Sequence, residues 1–118
     1  MSAPITNPIA TIAAAGSLSN GCYVGHGKLV SLIMPASWDA AVLTFQGSAD
    51  GVTYYDIYDY QGAEVVVQAD TSRMITIDEF EGAPWIKLRS GTTGAPVAQT
   101  VAAAITLVIQ KLADMGVK

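Results

Sequence analysis

Apolar and polar residues alternate along most of the chain from Lys28 onward, in short runs separated by Gly, Pro, Asp and Ser. A period of two is typical of a strand that buries one of its faces. The β-rich and alternating runs predict seven strands: Lys28–Met34, Val42–Gln46, Thr53–Tyr58, Ala63–Gln68, Ser72–Asp78, Trp85–Arg89 and Val101–Gln110. Strands spaced by roughly 8–12 residues, without a segment of helical period, predict an all-β antiparallel sandwich over residues 22–118.

The inward faces of these strands form the predicted core. Its members are Leu43, Phe45, Ile57, Ile75, Ile77, Ile86 and Leu88. The last strand is ambiguous, because its alanines suit a helix whereas Ile105, Leu107 and Ile109 form an alternating series. The dominance of strands elsewhere in the chain favours a strand here as well.

Residues 1–21 differ from the rest of the chain, since Ala, Ser, Thr and Asn prevail there with isolated isoleucines. Pro4 and Pro8 interrupt a regular helix and favour extended backbone. A partly ordered terminus and an arm that lies on a neighbouring subunit both agree with this composition. The functional prediction is an extended N-terminal arm. Its anchors would be Ile5, Ile9 and Ile12.

The composition adds an apolar surplus to this picture. Of the 118 residues, 51% are hydrophobic and 14% are charged, whereas roughly a quarter of the residues in soluble domains carry a charge. The surplus suggests that part of the surface is buried against another chain. The net charge of −4 comes without a basic cluster, which argues against nucleic-acid binding.

Neither a secretory signal nor a membrane span is predicted. No Lys or Arg precedes Lys28, so the positive start of a signal peptide is missing. The apolar stretch Val101–Ile109 has about half the length that a membrane span needs. We therefore expect no membrane partner.

Candidate chemistry is sparse in this chain. Cys22 is the only cysteine and His26 the only histidine, which excludes an internal disulfide and a multi-cysteine zinc site. A Cys22–His26 pair is one reading, and a turn histidine beside a half-buried thiol is the favoured one. A nucleophile with a base and an orienting third group is not recognisable. We predict no catalytic residue, cofactor or metal, and no enzymatic activity.

Two groups of carboxylates offer an alternative, because calcium takes oxygen ligands from loops. The group at the 48–51 turn consists of Asp50, Asp56 and Asp59, and the group before Trp85 consists of Asp78, Glu79 and Glu81. The ligand spacing of an EF-hand loop is absent from both groups. Solvated turn carboxylates are the favoured interpretation.

Aromatic and cationic side chains supply the remaining candidates. Tyr54, Tyr58 and Tyr60 share one parity along the chain, and together with Trp85 they would suit an interface or sugar stacking if exposed. Packing across the sandwich is the favoured alternative for the tyrosines. The cations expected on outward strand faces are Arg73, Lys87 and Arg89. Pairing with Asp56, Asp78 or Glu64 is favoured over an anionic ligand.

Four turn and strand motifs occur in order along half of the chain: PASW (35–38), LTFQ-S-DG (43–51), SR-I-ID (72–78) and IKLRSGT (86–92), the last followed by Gly94 and Pro96. In these motifs Pro35–Thr92 resembles small structural proteins of tailed bacteriophages. The segment is also similar to the galactose-binding-like, discoidin-type sandwich, which implies a jelly-roll-like topology. The chain is shorter than a typical discoidin domain and lacks that family's cysteine pair, so no ligand site is carried over.

The phage resemblance implies a non-enzymatic virion structural protein, above all a capsid decoration or auxiliary head protein. The implied partners are the major capsid protein or another virion protein, and further copies of the chain, with a trimer among the oligomers considered. The implied location is the virion, after synthesis in the host cytoplasm. The alternative is a carbohydrate-binding or host-recognition module on a tail or fibre, with a glycan as partner.

Overall fold

The computed structural model describes residues 7–25, 27–80 and 83–111, with the backbone alone for residues 78–80 and 111. Within these ranges all regular secondary structure is β-strand, which confirms the all-β prediction. The strands are β1 (Ile9–Ile12), β2 (Cys22–Tyr23), β3 (Gly27–Ile33), β4 (Leu43–Ser48), β5 (Tyr55–Asp56), β6 (Met74–Phe80), β7 (Trp85–Ser90) and β8 (Ala103–Lys111). The described residues contain no helix with the length and apolarity to cross a membrane.

The strands form two four-stranded sheets in which every neighbouring pair is antiparallel. The first sheet has the order β1-β8-β3-β6 and the second has the order β2-β7-β4-β5. Strands therefore pair symmetrically about the middle of the chain: β1 with β8, β2 with β7, β3 with β6, and β4 with β5. The pairs β3–β8 and β4–β7 join these ribbons into the two sheets.

The core lies between the two sheets and contains the inward side chains of every strand except β5, whose Tyr55 is exposed. Large side chains without exposed surface come from both sheets: Ile12, Leu29, Leu32, Leu43, Phe45, Ile86, Leu88, Ile105 and Leu107. Four of the seven predicted core residues are in this set, and Ile57, Ile75 and Ile77 pack against it. Full burial of one such side chain contributes about 1.5–3 kcal/mol.

The extended arm predicted for residues 1–21 is not confirmed, because β1 is part of the first sheet. Ile9–Ile12 pairs with β8, and Ile12 is fully buried in the core of its own chain. Pro8 permits this pairing because a proline at the start of an edge strand needs no ladder donor. Its carbonyl accepts a hydrogen bond from the Leu107 N–H at 2.9 Å. Ile5 lies outside the described residues.

Two of the predicted strands do not form regular ladders over their length. They are Thr53–Tyr58 and Ala63–Gln68. The first is reduced to β5, and the second makes only isolated bridges, Tyr58 with Glu64 and Leu43 with Val67. The Asp59 carboxylate accepts hydrogen bonds from the backbone N–H groups of residues 61 and 63 and so closes a tight turn. After this turn the returning segment reaches β4 again, where Leu43 and Val67 exchange two backbone hydrogen bonds of 2.9 Å.

Candidate interaction surface

The outer side of the first sheet carries an apolar row that crosses all four strands. Ile9 lies opposite Thr106, Thr106 opposite Ile33, and Ile33 opposite Met74. The side chains of Ile9, Ile33 and Met74 are 52%, 39% and 59% exposed. Three large apolar side chains therefore face outward along one line of the sheet.

The neighbouring rows on this side are also without charge. The outward side chains described there are Ile9, Thr11, Ser31, Ile33, Met74, Thr76, Ala104, Thr106, Val108 and Gln110. We call these ten residues the uncharged face. The next charged residues along the strands are Lys28, opposite Gln110, and Asp78, of which only the backbone is described. Arg73, directly before Met74, is exposed and pairs with Asp70 at 3.5 Å. A sandwich face turned to water normally carries polar residues. Five of these ten residues are polar, and what distinguishes the face is that none of them is charged.

A β-bulge decides which side chains of β3 belong to the uncharged face. The register of β3 against β8 shifts between Leu29 and Ser31, and an extra residue in one strand reverses the facing of the residues after it. Leu29 and Leu32, three residues apart, both point into the core, and Ile33 points outward. Strict alternation from Leu29 would have buried Ile33, so the sequence pattern did not reveal it.

The outer side of the second sheet is different, because loops cover it and charges pair within it. Arg89 is buried there and its guanidinium contacts the Asp56 carboxylate. Its Nη1 lies 3.4 Å from Glu64 Oε2 and 3.3 Å from Thr44 Oγ1. Arg89 lies on the outer face of its strand and pairs with Asp56 and Glu64, as the sequence predicts, and the side chains around it leave it buried.

Thr93 completes this ion-pair network from the loop that follows β7. Its hydroxyl donates to Asp56 Oδ2 at 2.5 Å and its backbone N–H to Glu64 Oε2 at 3.1 Å. The Thr93 hydroxyl, followed by Arg89, lowers the pKa of Asp56 from 3.8 to about 2. The network is satisfied internally, so it stabilises the sandwich rather than offering a free charge to a ligand.

The predicted aromatic candidates do not form one surface. Trp85 packs against Tyr23 with ring centroids 4.9 Å apart, and the Lys87 ammonium lies 4.4 Å from the centre of the Tyr54 ring. Tyr60, by contrast, is 96% exposed in the turn that follows β5, and Tyr58 is half exposed. Trp85 and Lys87 thus each contact an aromatic ring of the same chain, whereas Tyr60 lies at the tip of a turn.

A groove of about 500 Å³ runs beside β6, the edge strand of the first sheet. Its walls are the segment from Glu64 to Gln68 and the residues from Ile75 to Ile77, with Asp59 at its side. Both carboxylates already have partners, since Glu64 contacts Arg89 and Asp59 caps its own turn. The described walls of the groove therefore mix polar and apolar side chains, and both of their carboxylates already have partners.

The acidic groups proposed from the sequence are not assembled as a metal site where they are described. No three His, Cys, Asp or Glu residues in the described ranges lie together in a way that could hold a metal ion. Asp50 instead accepts hydrogen bonds from the N–H groups of Val52 and Thr53, which lowers its pKa. The side chains of Asp78 and Glu79, and Glu81 itself, lie outside the described part of the chain.

Cys22 is buried in β2, and burial raises the pKa of its thiol. A raised pKa lowers the thiolate fraction, which is the reactive form. His26, the other half of the proposed pair, lies outside the described residues. A contact of 3.7 Å from Asn20 Nδ2 to the sulfur acts in the opposite direction, but burial has the larger effect on the pKa of the thiol.

Comparison with protein-family models, curated proteins and solved structures found no match to the chain.

Proposed function

We propose that the chain is a non-enzymatic structural protein of a bacteriophage virion, a capsid decoration or auxiliary head protein. It docks on the major capsid protein or another virion protein, and on copies of itself, through apolar surface. The observation that carries this proposal is the uncharged face. Packed interface cores are depleted in charged residues, and the row from Ile9 to Met74 places apolar side chains where they gain by being covered.

The proposal includes a jelly-roll topology for the sandwich. When a chain folds back on itself, its eight strands form four antiparallel pairs that follow one another in a single long ribbon. Rolling up this ribbon places alternate pairs in two opposing sheets. The strand orders β1-β8-β3-β6 and β2-β7-β4-β5 agree with this construction. Jelly rolls serve in viral capsids and in lectins, so the topology is compatible with both functions considered and decides between neither.

An N-terminal arm belongs to the proposal only for the residues that precede β1. Deletion of residues 2–20 would remove β1 and part of the core, so its effect would not isolate docking. Deletion of residues 2–6 leaves β1 and Pro8 in place. We expect this shorter deletion to lower the number of copies per particle if Ile5 anchors the arm, and unchanged occupancy would remove the arm from the mechanism.

Particle occupancy tests the virion proposal directly. We expect Ile33→Lys to reduce copies per purified particle several-fold, since a charge buried in an apolar interface lacks a partner. Val52→Lys is the matched control, because Val52 is 81% exposed in the turn after β4. Equal occupancy of both variants would contradict the proposal, as would a gene lying far from capsid and tail genes.

A glycan-binding or host-recognition module on a tail or fibre is the second candidate. The exposed rings of Tyr58 and Tyr60 favour it, because tyrosines combine an apolar face with a polar tip. A glycan array with the wild-type chain and a Tyr58→Ala/Tyr60→Ala variant separates the two functions. Binding above background that the variant loses would support the module, and no binding would count against it.

A further inference from the structure

We infer that the uncharged face binds a second copy of this chain, face to face, around a two-fold axis. This inference rests on the proposed function, since it names one partner of the surface that carries that proposal. An uncharged surface is best covered by another uncharged one, because a charged group buried against it stays unpaired. Among the described surfaces the second sheet does not meet this condition, since Asp56, Lys87 and Arg89 lie on its outer side.

The area of the face is sufficient for a dimer that dissociates at moderate dilution. Four strands at a spacing of about 4.8 Å and six or seven residues of about 3.3 Å rise give a rectangle of roughly 20 by 22 Å. With the relief of the side chains, two such faces together would bury about 1,000–1,200 Å². Weak, transient complexes lie at this low end of the range of interface sizes, so we expect a dimer that dissociates at roughly micromolar concentration.

Symmetry and side-chain size select the arrangement of the two copies. For the two faces to point at each other, the two-fold axis must lie in the plane between them. Rotation about an axis perpendicular to the sheet would leave both faces pointing in the same direction. An axis parallel to the strands, between β8 and β3, places Thr106 of one copy against Ile33 of the other. An axis across the strands would stack Ile33 on Ile33 and Thr106 on Thr106. Facing positions pack best when large residues meet small ones, which favours the first axis.

This arrangement makes a specific prediction for the two edges of the sheet. Ile9 of one copy lies against Met74 of the other. Within one chain these residues are on the outermost strands, separated by three strand spacings of about 4.8 Å each. A short bis-maleimide crosslinker between the two positions therefore reports contact between copies and not within one chain.

The first test is sedimentation velocity across the micromolar range. We expect the wild-type chain to shift from monomer to dimer, Ile33→Lys to stay monomeric, and Val52→Lys to behave as wild type. Ile33→Thr keeps a β-branched residue and is expected to weaken the dimer partially, which guards against a folding defect. Unchanged thermal unfolding of each variant at low concentration confirms the native state. A wild-type chain that stays monomeric would overturn the inference.

The second test mixes chains carrying Ile9→Cys with chains carrying Met74→Cys and adds the crosslinker. We expect a crosslinked heterodimer in high yield and little product from either variant alone. Wild type reports any background from buried Cys22, and Ile9→Cys mixed with Val52→Cys is the negative control. Product mainly from Ile9→Cys alone would overturn the proposed axis.

Particle occupancy distinguishes failure of this inference from failure of the proposed function. A monomeric wild type whose occupancy falls with Ile33→Lys would overturn the second-copy inference and still support docking on another virion protein. A dimer that Ile33→Lys abolishes without loss of occupancy would support the second-copy inference and contradict the virion proposal.

Discussion

The place of Ile12 in the core gives a quantitative test of β1 as a structural strand. Ile12→Ala removes three carbon atoms from a fully buried side chain, and each buried methyl or methylene group contributes about 0.8 kcal/mol. The transfer loss is therefore about 2.4 kcal/mol, and the cavity raises the total to about 3–4 kcal/mol. That is a large part of the stability of a small domain.

Ile9→Ala is the matched control, because Ile9 lies in the same strand and is half exposed. The same three atoms are lost from a position that leaves no closed cavity, so we expect less than about 1 kcal/mol. Urea unfolding, at a concentration low enough to keep the chain monomeric, gives both free energies. Equal small losses for the two variants would refute the assignment of β1 to the core and restore a detached arm.

Two further substitutions test the second sheet. Thr93→Val removes the hydroxyl that donates to Asp56, and we expect a loss of about 1 kcal/mol at pH 7, with exposed Thr53→Val near zero. Because the pKa of Asp56 is lowered from 3.8 to about 2 in the folded chain, its contribution is complete above pH 4 and is lost as the pH falls towards 2. The difference between Thr93→Val and wild type should shrink over this range in urea titrations, and a constant difference would contradict the account. Gly91→Ala should destabilise the chain by more than 1 kcal/mol, since φ is +90° and a Cβ would lie 2.5 Å from a carbonyl oxygen. Gly94→Ala, with open space around it, should change the unfolding midpoint little.

The strands that sequence reasoning identified correctly are those with unbroken alternation. In β4 and β7 the predicted inward residues, Leu43 and Phe45 in one and Ile86 and Leu88 in the other, are large and apolar, so the period of two was sufficient. In β1 the inward residues are Ala10 and Ile12, and a small residue gives a weak signal. Pro8 strengthened the misreading, because prolines are expected outside ladders and only an edge position permits one at the strand start.

The candidate surface could be predicted only in part. Ile9 stood out as an unplaced isoleucine, and β8 as an apolar segment beyond the predicted core. Ile33 and Met74 were not recognisable, since their facing depends on a bulge in β3 and on the pairing of β3 with β6. Strand order arises from contacts distant in sequence, and no local pattern contains it.

Radical footprinting of Met74 tests most directly whether the uncharged face is covered in the working assembly. Met74 is well exposed in the single chain, Met34 is buried, and Tyr60 is exposed in the turn that follows β5. We expect oxidation of Met74 to be at least several-fold slower in assembled particles than in dilute chain, with Met34 slow in both and Tyr60 as an exposed reference. Equal oxidation rates of Met74 in the two states would contradict the claim that this face is where the protein binds its partner.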